Sequence, residues 1–302
     1  MRILITGGAG FIGSHLVEHY HKNADVVVLD NFRSGYRGNL DNLNCTLIEG
    51  CITDPDIVNQ AMQDVDYVFH LAAMISVPES MGKPIECNHI NANGLLNVLE
   101  TASAHGVKKL VLASSAAIYG DNPIVPKTEV MTPEPKSPYA ITKLDGEYYL
   151  DMFAREGRIQ TTSLRFFNVF GPRQDPKSAY AAAVPIFIEK AFANEDINIF
   201  GDGEQTRDFI YVKDITAALA HAAKCTEMTG SYNVGYGKSI TINQLASEII
   251  ELAGSESKIL HGPTRTGDVK HSRASIDKIL SSGFLPSSSL KQGLQETLKS
   301  VE

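Results

Sequence analysis

Short runs of aliphatic and β-branched residues alternate with segments of helical periodicity through the first half of the chain. The runs are almost continuously apolar, so we expect both faces of each strand to be buried, as in a parallel sheet between two layers of helices. The predicted strands are residues 2–6, 25–30, 45–50, 66–72, 108–115 and 160–166. This alternation predicts an α/β fold with a doubly wound parallel sheet and right-handed crossovers.

The pattern loosens after about residue 170, where loop-rich stretches precede further helical periodicity. Helices are expected at roughly 184–193, 213–224 and 241–253. We therefore predict two domains, in which residues 1–170 form the doubly wound domain and residues 171–302 form a smaller α/β domain with long loops suited to covering a ligand. Part of 205–225 is expected to pack back on the first domain.

The composition excludes several classes of partner. Of the 302 residues, 43% are hydrophobic and 21% are charged, which is typical of a globular protein. The formal net charge is -8, and there is no dense run of lysine and arginine. We therefore expect neither a nucleic acid nor a membrane as partner.

The four cysteines are scattered and show no C-x-x-C spacing. Free thiols in a reducing compartment are the simplest interpretation, and no metal site is predicted. The chain opens directly with a predicted strand, and no apolar run approaches the length of a membrane span, so a cytoplasmic location is expected. The cysteines are Cys45, Cys51, Cys87 and Cys225.

The segment TGGAGFIG follows the first predicted strand and opens a helix. Gly8, Gly10 and Gly13 match G-x-G-x-x-G, and Gly7, Gly10 and Gly13 match G-x-x-G-x-x-G. At such a turn, backbone N–H groups and the helix N-terminus face an anion, which indicates a Rossmann-type dinucleotide site. A tight strand–helix turn without a ligand uses the same glycines, so the motif alone leaves both interpretations open.

An acidic residue, Asp30, ends the second predicted strand. At this distance from the glycines its carboxylate can bind the hydroxyls of an adenosine ribose. It would also repel a 2′-phosphate, which favours NAD over NADP, although Arg33 lies close enough to weaken that preference. The alternative is an exposed aspartate with no ligand.

The segment SPYAITK places Tyr139 and Lys143 one helical turn apart. Ser137 is a suitable N-cap and Pro138 a first-turn residue, so the tyrosine lies at a helix start. A nearby ammonium stabilises phenolate and would lower the pKa of Tyr139, giving a general base for a hydroxyl proton. For an isolated Y-x-x-x-K, amphipathic packing with a surface lysine is the commoner explanation.

Two serines, Ser114 and Ser115, are the last residues of the predicted strand 108–115. They would emerge at the carboxyl end of a parallel strand, where open α/β sheets bind ligands. A serine hydroxyl there can bond the same substrate oxygen as Tyr139. The alternative is a pair of small polar residues that only end a strand.

In order along the chain, these motifs together with HLAA (70–73) and INANG (90–94) resemble the extended short-chain dehydrogenase/reductase family of sugar-nucleotide enzymes. Three later segments extend the resemblance over nearly the full length. They are LRFFNVFGPRQDP, GDGEQTRDFIYVKD and RTGDVKHSRA. The chain is most similar to UDP-hexose 4-epimerases, especially the branch that acts on N-acetylated sugars.

The resemblance implies an NAD-binding Rossmann domain, a UDP-sugar substrate and 4-epimerisation through a transient 4-keto intermediate. It implies Ser115, Tyr139 and Lys143 as the catalytic residues. The implied cofactor-binding residues are Gly7, Gly10, Phe11, Ile12, Gly13, Asp30, Asn31, Ser34, Gly35, Cys51, Ile52, Leu71, Ala72, Ala73, Asn91, Tyr139, Lys143 and Phe167. The implied substrate-binding residues are Ser115, Tyr139, Asn168, Ala183, Val184, Arg207, Arg265, Asp268 and Ser272.

Three departures from the family pattern refine these expectations. Cys51 stands where relatives often have an aspartate that binds adenine. Ser272 stands where glucose-restricted epimerases carry a bulky tyrosine, which leaves room for a 2-acetamido group. Ala116 and Ala117 replace the acids of related dehydratases and decarboxylases.

Several alternatives remain at this point. Another sugar-nucleotide enzyme, such as a dehydratase or reductase, is the nearest, and a non-catalytic NAD-binding regulator or a protein–protein scaffold is less favoured. By the same resemblance, helices at roughly 88–105 and 138–157 are expected to pair in a homodimer.

Overall fold

The computed structural model describes residues 1–176, 182–264 and 269–301. The strands are β1 Arg2–Thr6, β2 Asp25–Asp30, β3 Thr46–Glu49, β4 Tyr67–His70, β5 Lys109–Ser115, β6 Gln160–Phe166, β7 Asn168–Phe170, β8 Ile197–Phe200, β9 Thr206–Arg207, β10 Phe209–Tyr211, β11 Gly230–Val234, β12 Ile240–Thr241 and β13 Ile259–Gly262. The helices are α1 Phe11–Tyr20, α2 Pro55–Ala61, α3 Val77–Gly82, α4 Pro84–Asn88, α5 Gly94–Ala104, α6 Pro138–Arg155, α7 Ala183–Phe192, α8 Val212–Lys224, α9 Ile242–Ala253, α10 Asp277–Ser281 and α11 Leu290–Lys299.

A seven-stranded sheet organises the chain, in the order β11-β6-β5-β4-β1-β2-β3. All of its neighbouring pairs are parallel. The predicted doubly wound α/β fold is therefore confirmed. The strand order reverses between β1 and β4, and in sheets of this kind a ligand crevice opens there, at the carboxyl ends of the strands.

Two apolar cores cover the faces of this sheet. On one face, α1 and α8 pack on the strands through residues such as Leu16 and Leu219. On the other, α2, α5 and α6 contribute residues such as Leu99 and Phe153. Because both faces are covered, the inner strands are apolar along their whole length, which is why the sequence pattern identified them.

The edge strand β11 was not predicted from the sequence. Its residues, GSYNV, are too polar for a buried-strand signal, and Asn233 is buried only because its side chain is hydrogen-bonded. Its amide donates to the carbonyl oxygen of Lys127 at 2.9 Å, and its oxygen accepts from the hydroxyl of Tyr119 at 2.7 Å. Residues 212–234 thus belong to the layers of the main sheet, while the division at residue 170 stays a prediction.

The remaining C-terminal elements form a third core. Helices α7, α9 and α11 pack around residues such as Ile199, Leu245 and Leu294. Three two-stranded pairs accompany them: β7 with β10 and β8 with β13 are parallel, and β9 with β12 is antiparallel. Within the described ranges, no helix is long and apolar enough to cross a membrane.

Candidate active site

A cleft of about 680 Å³ lies at the carboxyl ends of the central strands. The sequence-predicted residues that line it share this one edge of the sheet and the turns that follow. They are Gly7, Gly10, Phe11, Ile12, Gly13, Asp30, Asn31, Ser34, Gly35, Cys51, Ile52, Leu71, Ala72, Ala73, Ser115, Tyr139, Lys143 and Phe167. The structure therefore brings together the predicted catalytic residues and all of the predicted cofactor residues except Asn91.

The glycine turn at the end of β1 is built for a close approach of backbone to ligand. Gly7 has a φ of +72°, and a Cβ there would lie 2.7 Å from the backbone nitrogen of Ala72. A Cβ on Gly13 would lie 2.1 Å from the carbonyl oxygen of Gly7. Gly10 caps α1 without a side-chain bond, so the N–H groups of the first turn are left for an anion.

Asp30 is buried at the end of β2, with 8% of its surface exposed. Its two carboxylate oxygens accept from the backbone N–H groups of Ala9 at 2.9 Å and Phe32 at 2.8 Å. Each oxygen keeps a further lone pair for a ribose hydroxyl. The alternative of an exposed aspartate is therefore wrong.

Arg33 lines the same part of the cleft, but two carboxylates hold its guanidinium. It donates to Glu79 at 2.8 Å and to Glu86 at 2.6 Å, and these bonds raise the pKa of Arg33. Because its charge is compensated, Arg33 is a poor receptor for a 2′-phosphate. The carboxylate of Asp30 is therefore the charge that decides between NAD and NADP, and it favours NAD.

The start of α6 has the predicted geometry. Ser137 accepts from the N–H of Ala140 at 3.2 Å, and Pro138 is the first helical residue. Lys143 is buried and donates to the carbonyl oxygen of Ala113 at 2.7 Å. Its Nζ lies 5.7 Å from the centre of the Tyr139 ring, so the surface-lysine alternative is wrong.

The pKa of Tyr139 differs from the sequence expectation. Burial raises it, a hydrogen bond with Ser115 offsets part of that rise, and Cys87 adds to it. Lys143 was expected to lower it, but desolvation of the phenol dominates. Burial also lowers the pKa of Lys143 to about 8, while the nearby Cys87 and Glu147 raise it.

Asn91 was predicted to bind the cofactor, but its side chain does not line the cleft. It is buried in the π-helical turn His89–Asn93. Its amide oxygen accepts from the N–H of Met74 at 2.7 Å, and its nitrogen donates to Thr142 Oγ1 at 3.0 Å. Asn91 thus ties the loop after β4 to α6 from behind.

Of the described residues, the predicted substrate residues Asn168, Ala183, Val184, Arg207 and Ser272 do not line this cleft. Arg265 and Asp268 lie outside the described residues. Val184 is buried in the C-terminal core. Arg207 and Ser272 lie in neighbouring extended segments, where the N–H of Ser272 donates to the carbonyl of Thr206 at 3.1 Å.

Several cleft residues were missed from the sequence because they come from loops far apart in the chain. Tyr36 donates its hydroxyl to Asp175 at 2.6 Å, and Arg173 donates to the carbonyl of Asn39 at 3.3 Å. These bonds join the loop after β2 to the loop after β7 at the cleft wall. The GPRQDP segment after β7 was recognisable in the sequence. The loop after β2 that it contacts carries no motif, so the contact between the two loops could not be predicted.

The fold and this cleft define an α/β enzyme class that binds a dinucleotide beside a tyrosine–lysine pair. Residues 3–235 match the model of the NAD dependent epimerase/dehydratase family. The chain belongs to that family.

Three similar proteins are named for reactions of UDP-sugars. A putative UDP-glucose 4-epimerase of Methanocaldococcus jannaschii is 37% identical over 98% of this chain and 97% of its own. The structure of the UDP-N-acetylglucosamine 4-epimerase of Methanobrevibacter ruminantium M1, in complex with UDP-N-acetylmuramic acid, has a TM-score of 0.96 at 40% identity, over 99% of this chain and 97% of that one. UDP-glucose 4-epimerase of Thermotoga maritima, with UDP-glucose, has a TM-score of 0.94 at 40% identity, over 100% and 98%.

NAD is the cofactor of this family, and the residues present fit it. The Gly7–Gly13 turn leaves no room for a Cβ where a pyrophosphate would approach, and Asp30 offers a buried carboxylate to a ribose. No cluster of potential metal ligands occurs among the described residues.

Proposed function

We propose that this chain catalyses the NAD-dependent 4-epimerisation of UDP-hexoses. The observation that carries the proposal is the Ser115–Tyr139–Lys143 group at the end of a dinucleotide cleft, in a chain similar over its whole length to 4-epimerases.

Tyr139 acts as the general base and takes the proton of the sugar C4 hydroxyl. Ser115, which lines the cleft together with Tyr139, holds the C4 oxygen while the proton moves. Lys143, held by the carbonyl of Ala113, keeps a positive charge beside Tyr139 and stabilises the phenolate that accepts this proton. The Gly7–Gly13 turn and Asp30 would hold NAD, which would supply a reversible hydride acceptor for C4 of the sugar.

The residues that anchor UDP leave the sugar free to turn, so that C4 of the 4-keto sugar presents its opposite face. We assign the diphosphate to Asn168, Arg207 and Arg265, because charge-assisted and bidentate bonds suit this group. Asp268 is assigned to the uridine ribose. The backbone around Ala183 and Val184 completes the substrate side.

The substrate class that we propose includes N-acetylated hexoses as well as glucose and galactose. Ser272 has a small side chain on a segment that runs beside Arg207, so it leaves room for a 2-acetamido group. The similar proteins named above include one described for each kind of sugar.

A dehydratase is the second candidate within the family, and two residues argue against it. Ala116 and Ala117 begin the 3₁₀ turn after Ser115, where no acid stands to expel water from the sugar. Epimerisation needs no such acid.

We also propose that the chain forms a homodimer through α5 and α6. The outer face of α6 exposes Ile141, Tyr148 and Met152, and the neighbouring α4 exposes 86% of Ile85. Exposed apolar patches of this kind mark association surfaces. The four cysteines are free, which suits the cytoplasm as the compartment.

The test is to incubate the protein separately with UDP-glucose and UDP-N-acetylglucosamine and to identify the products by NMR. We expect the C4 epimer in each case, with no water lost and no net NADH consumed. Conversion of UDP-glucose alone would contradict the role given to Ser272, and a dehydrated product would contradict the reaction.

A further inference from the structure

A buried ion pair lies directly behind the proposed catalytic residues. Glu147 is one helical turn beyond Lys143 and two beyond Tyr139, on the same face of α6. Arg165 donates to its carboxylate through Nε at 2.9 Å and through Nη2 at 2.7 Å. Both side chains are buried.

Two serine hydroxyls complete the coordination of this carboxylate. Ser114 donates to Glu147 Oε1 at 2.5 Å, and Ser231 donates to Oε2 at 2.8 Å. The serines approach from different parts of the fold: Ser114 is the residue before Ser115 in β5, whereas Ser231 lies in the edge strand β11. The buried charge is therefore compensated from four donor atoms.

The bond to Ser114 reaches the catalytic centre through the end of β5. Ser114 is opposite Arg165 and Ser115 is opposite Phe166 in the register with β6. Consecutive side chains of a strand leave it in opposite directions. Holding the Ser114 hydroxyl therefore fixes the peptide from which Ser115 projects towards Tyr139.

We propose that Glu147 is a positioning residue: clamped by Arg165, its carboxylate holds Ser114 and thereby orients Ser115 towards Tyr139. The inference rests on the proposed function, which assigns proton transfer to Tyr139 and Ser115. A buried ion pair adds little stability over apolar residues of the same volume, so stability alone does not account for this arrangement.

The two serines provide a matched pair of variants. Glu147→Gln would leave the Arg165 guanidinium buried without its carboxylate and is expected to fold poorly. Ser114→Ala and Ser231→Ala each remove one neutral hydroxyl from the same carboxylate, and only the first touches the end of β5. Their thermal stabilities are expected to fall by similar amounts.

With UDP-glucose as substrate, Ser114→Ala is expected to lower kcat by about ten- to a hundredfold, through a small displacement of Ser115. KM is expected to stay within about twofold, since the hydroxyl of Ser114 is directed at Glu147 rather than at a ligand. Ser231→Ala is expected to leave both constants unchanged. Equal kcat values in the two variants would overturn the inference, and so would a rise in KM alone, which would indicate direct substrate binding by Ser114.

The ionisation of Tyr139 gives a second readout that does not need turnover. Each variant of the NAD-loaded protein is titrated by its phenolate absorbance, with the same variant carrying Tyr139→Phe as the reference. Because Ser115 lowers the pKa of Tyr139, its phenolate should form at higher pH in Ser114→Ala than in Ser231→Ala. If no UDP-hexose is epimerised, the proposed function fails, and this titration alone decides the inference: a rise confined to Ser114→Ala supports it, and identical titrations overturn it.

Discussion

The two ends of β5 each hold a buried lysine. At the amino end, Lys109 donates to the carbonyl oxygens of Cys225 at 2.7 Å and Met228 at 2.8 Å. At the carboxyl end, Lys143 reaches in from α6 and donates to the carbonyl of Ala113 at 2.7 Å. Burial lowers the pKa of both to about 8. A perturbed pKa therefore does not by itself separate a catalytic lysine from a structural one.

The position of each lysine relative to the sheet distinguishes the structural Lys109 from Lys143 in the candidate active site. Lys109 is enclosed by the loop that carries Cys225 and Met228, so its ammonium serves to hold that loop. Lys143 lines the cleft beside the ring of Tyr139, at the edge where doubly wound sheets bind ligands. The same local chemistry becomes a stabilising contact at one end and part of a reactive site at the other.

Removing the Tyr139 hydroxyl, which lies beside Lys143, should have the largest effect on turnover. Tyr139→Phe is expected to lower kcat by about 10²–10⁴-fold, because the general base is lost. The measurement is the rate of UDP-glucose epimerisation followed by NMR. Tyr148→Phe, on the exposed face of the same helix, is the control and should keep normal turnover. Near-normal turnover in Tyr139→Phe would show that the tyrosine–lysine pair at the carboxyl end of β5 is not catalytic.

The two lysines can be compared directly through the same substitution. Lys143→Met is expected to lower kcat by about a hundredfold, since the phenolate loses its nearby charge. Lys109→Met should leave kcat unchanged and cost about 1–3 kcal/mol of unfolding free energy, because two buried carbonyls lose a donor. Steady-state kinetics and urea unfolding measure the two effects. Equal losses of kcat would show that position in the sheet does not matter.

The carboxylate at the carboxyl end of β2 should control cofactor affinity. Asp30→Asn is expected to weaken NAD binding by about 10–100-fold, since charge-assisted bonds to a ribose contribute about 1.5–3 kcal/mol. It should also narrow the preference for NAD over NADP. Calorimetric titration with both nucleotides checks this, and Asp25→Asn, at the amino end of the same strand, is the control. Equal effects of the two substitutions would contradict the assignment of the ribose site.

The smallest expected effect is the change with pH in the free energy of unfolding that Lys109 causes. Since the pKa of Lys109 is about 8 in the folded state and near 10.5 when unfolded, the unfolded state binds more protons between these values. The unfolding free energy of the wild type should therefore rise relative to Lys109→Met as the pH increases from 8 to 10.5, by about 1–3 kcal/mol. Urea unfolding at several pH values measures the difference. A difference that falls with pH would show that Lys109 is stabilised as the cation.

The sequence predicted most of the fold because parallel strands leave a local signal. β1, β2 and β6 begin and end at the predicted residues. β4 ends at His70, two residues early, because Leu71 and Ala72 turn to bond Thr6 and form the cleft wall. The prediction failed at β11, whose polar residues are buried only through hydrogen bonds to distant partners.

For the site, the sequence by itself determined the residues that belong to local motifs. The glycine turn, Asp30 and Ser115 follow or end strands, whose carboxyl ends converge at one edge of the sheet, and Tyr139 and Lys143 lie one turn apart at the start of α6. Only the tertiary structure decided how their charges are balanced. Glu79 and Glu86 neutralise Arg33, and burial raises the pKa of Tyr139 where the lysine was expected to lower it. Motif spacing indicates which residues lie near a strand end or a helix start, whereas desolvation and ion pairing depend on residues brought together from far along the chain.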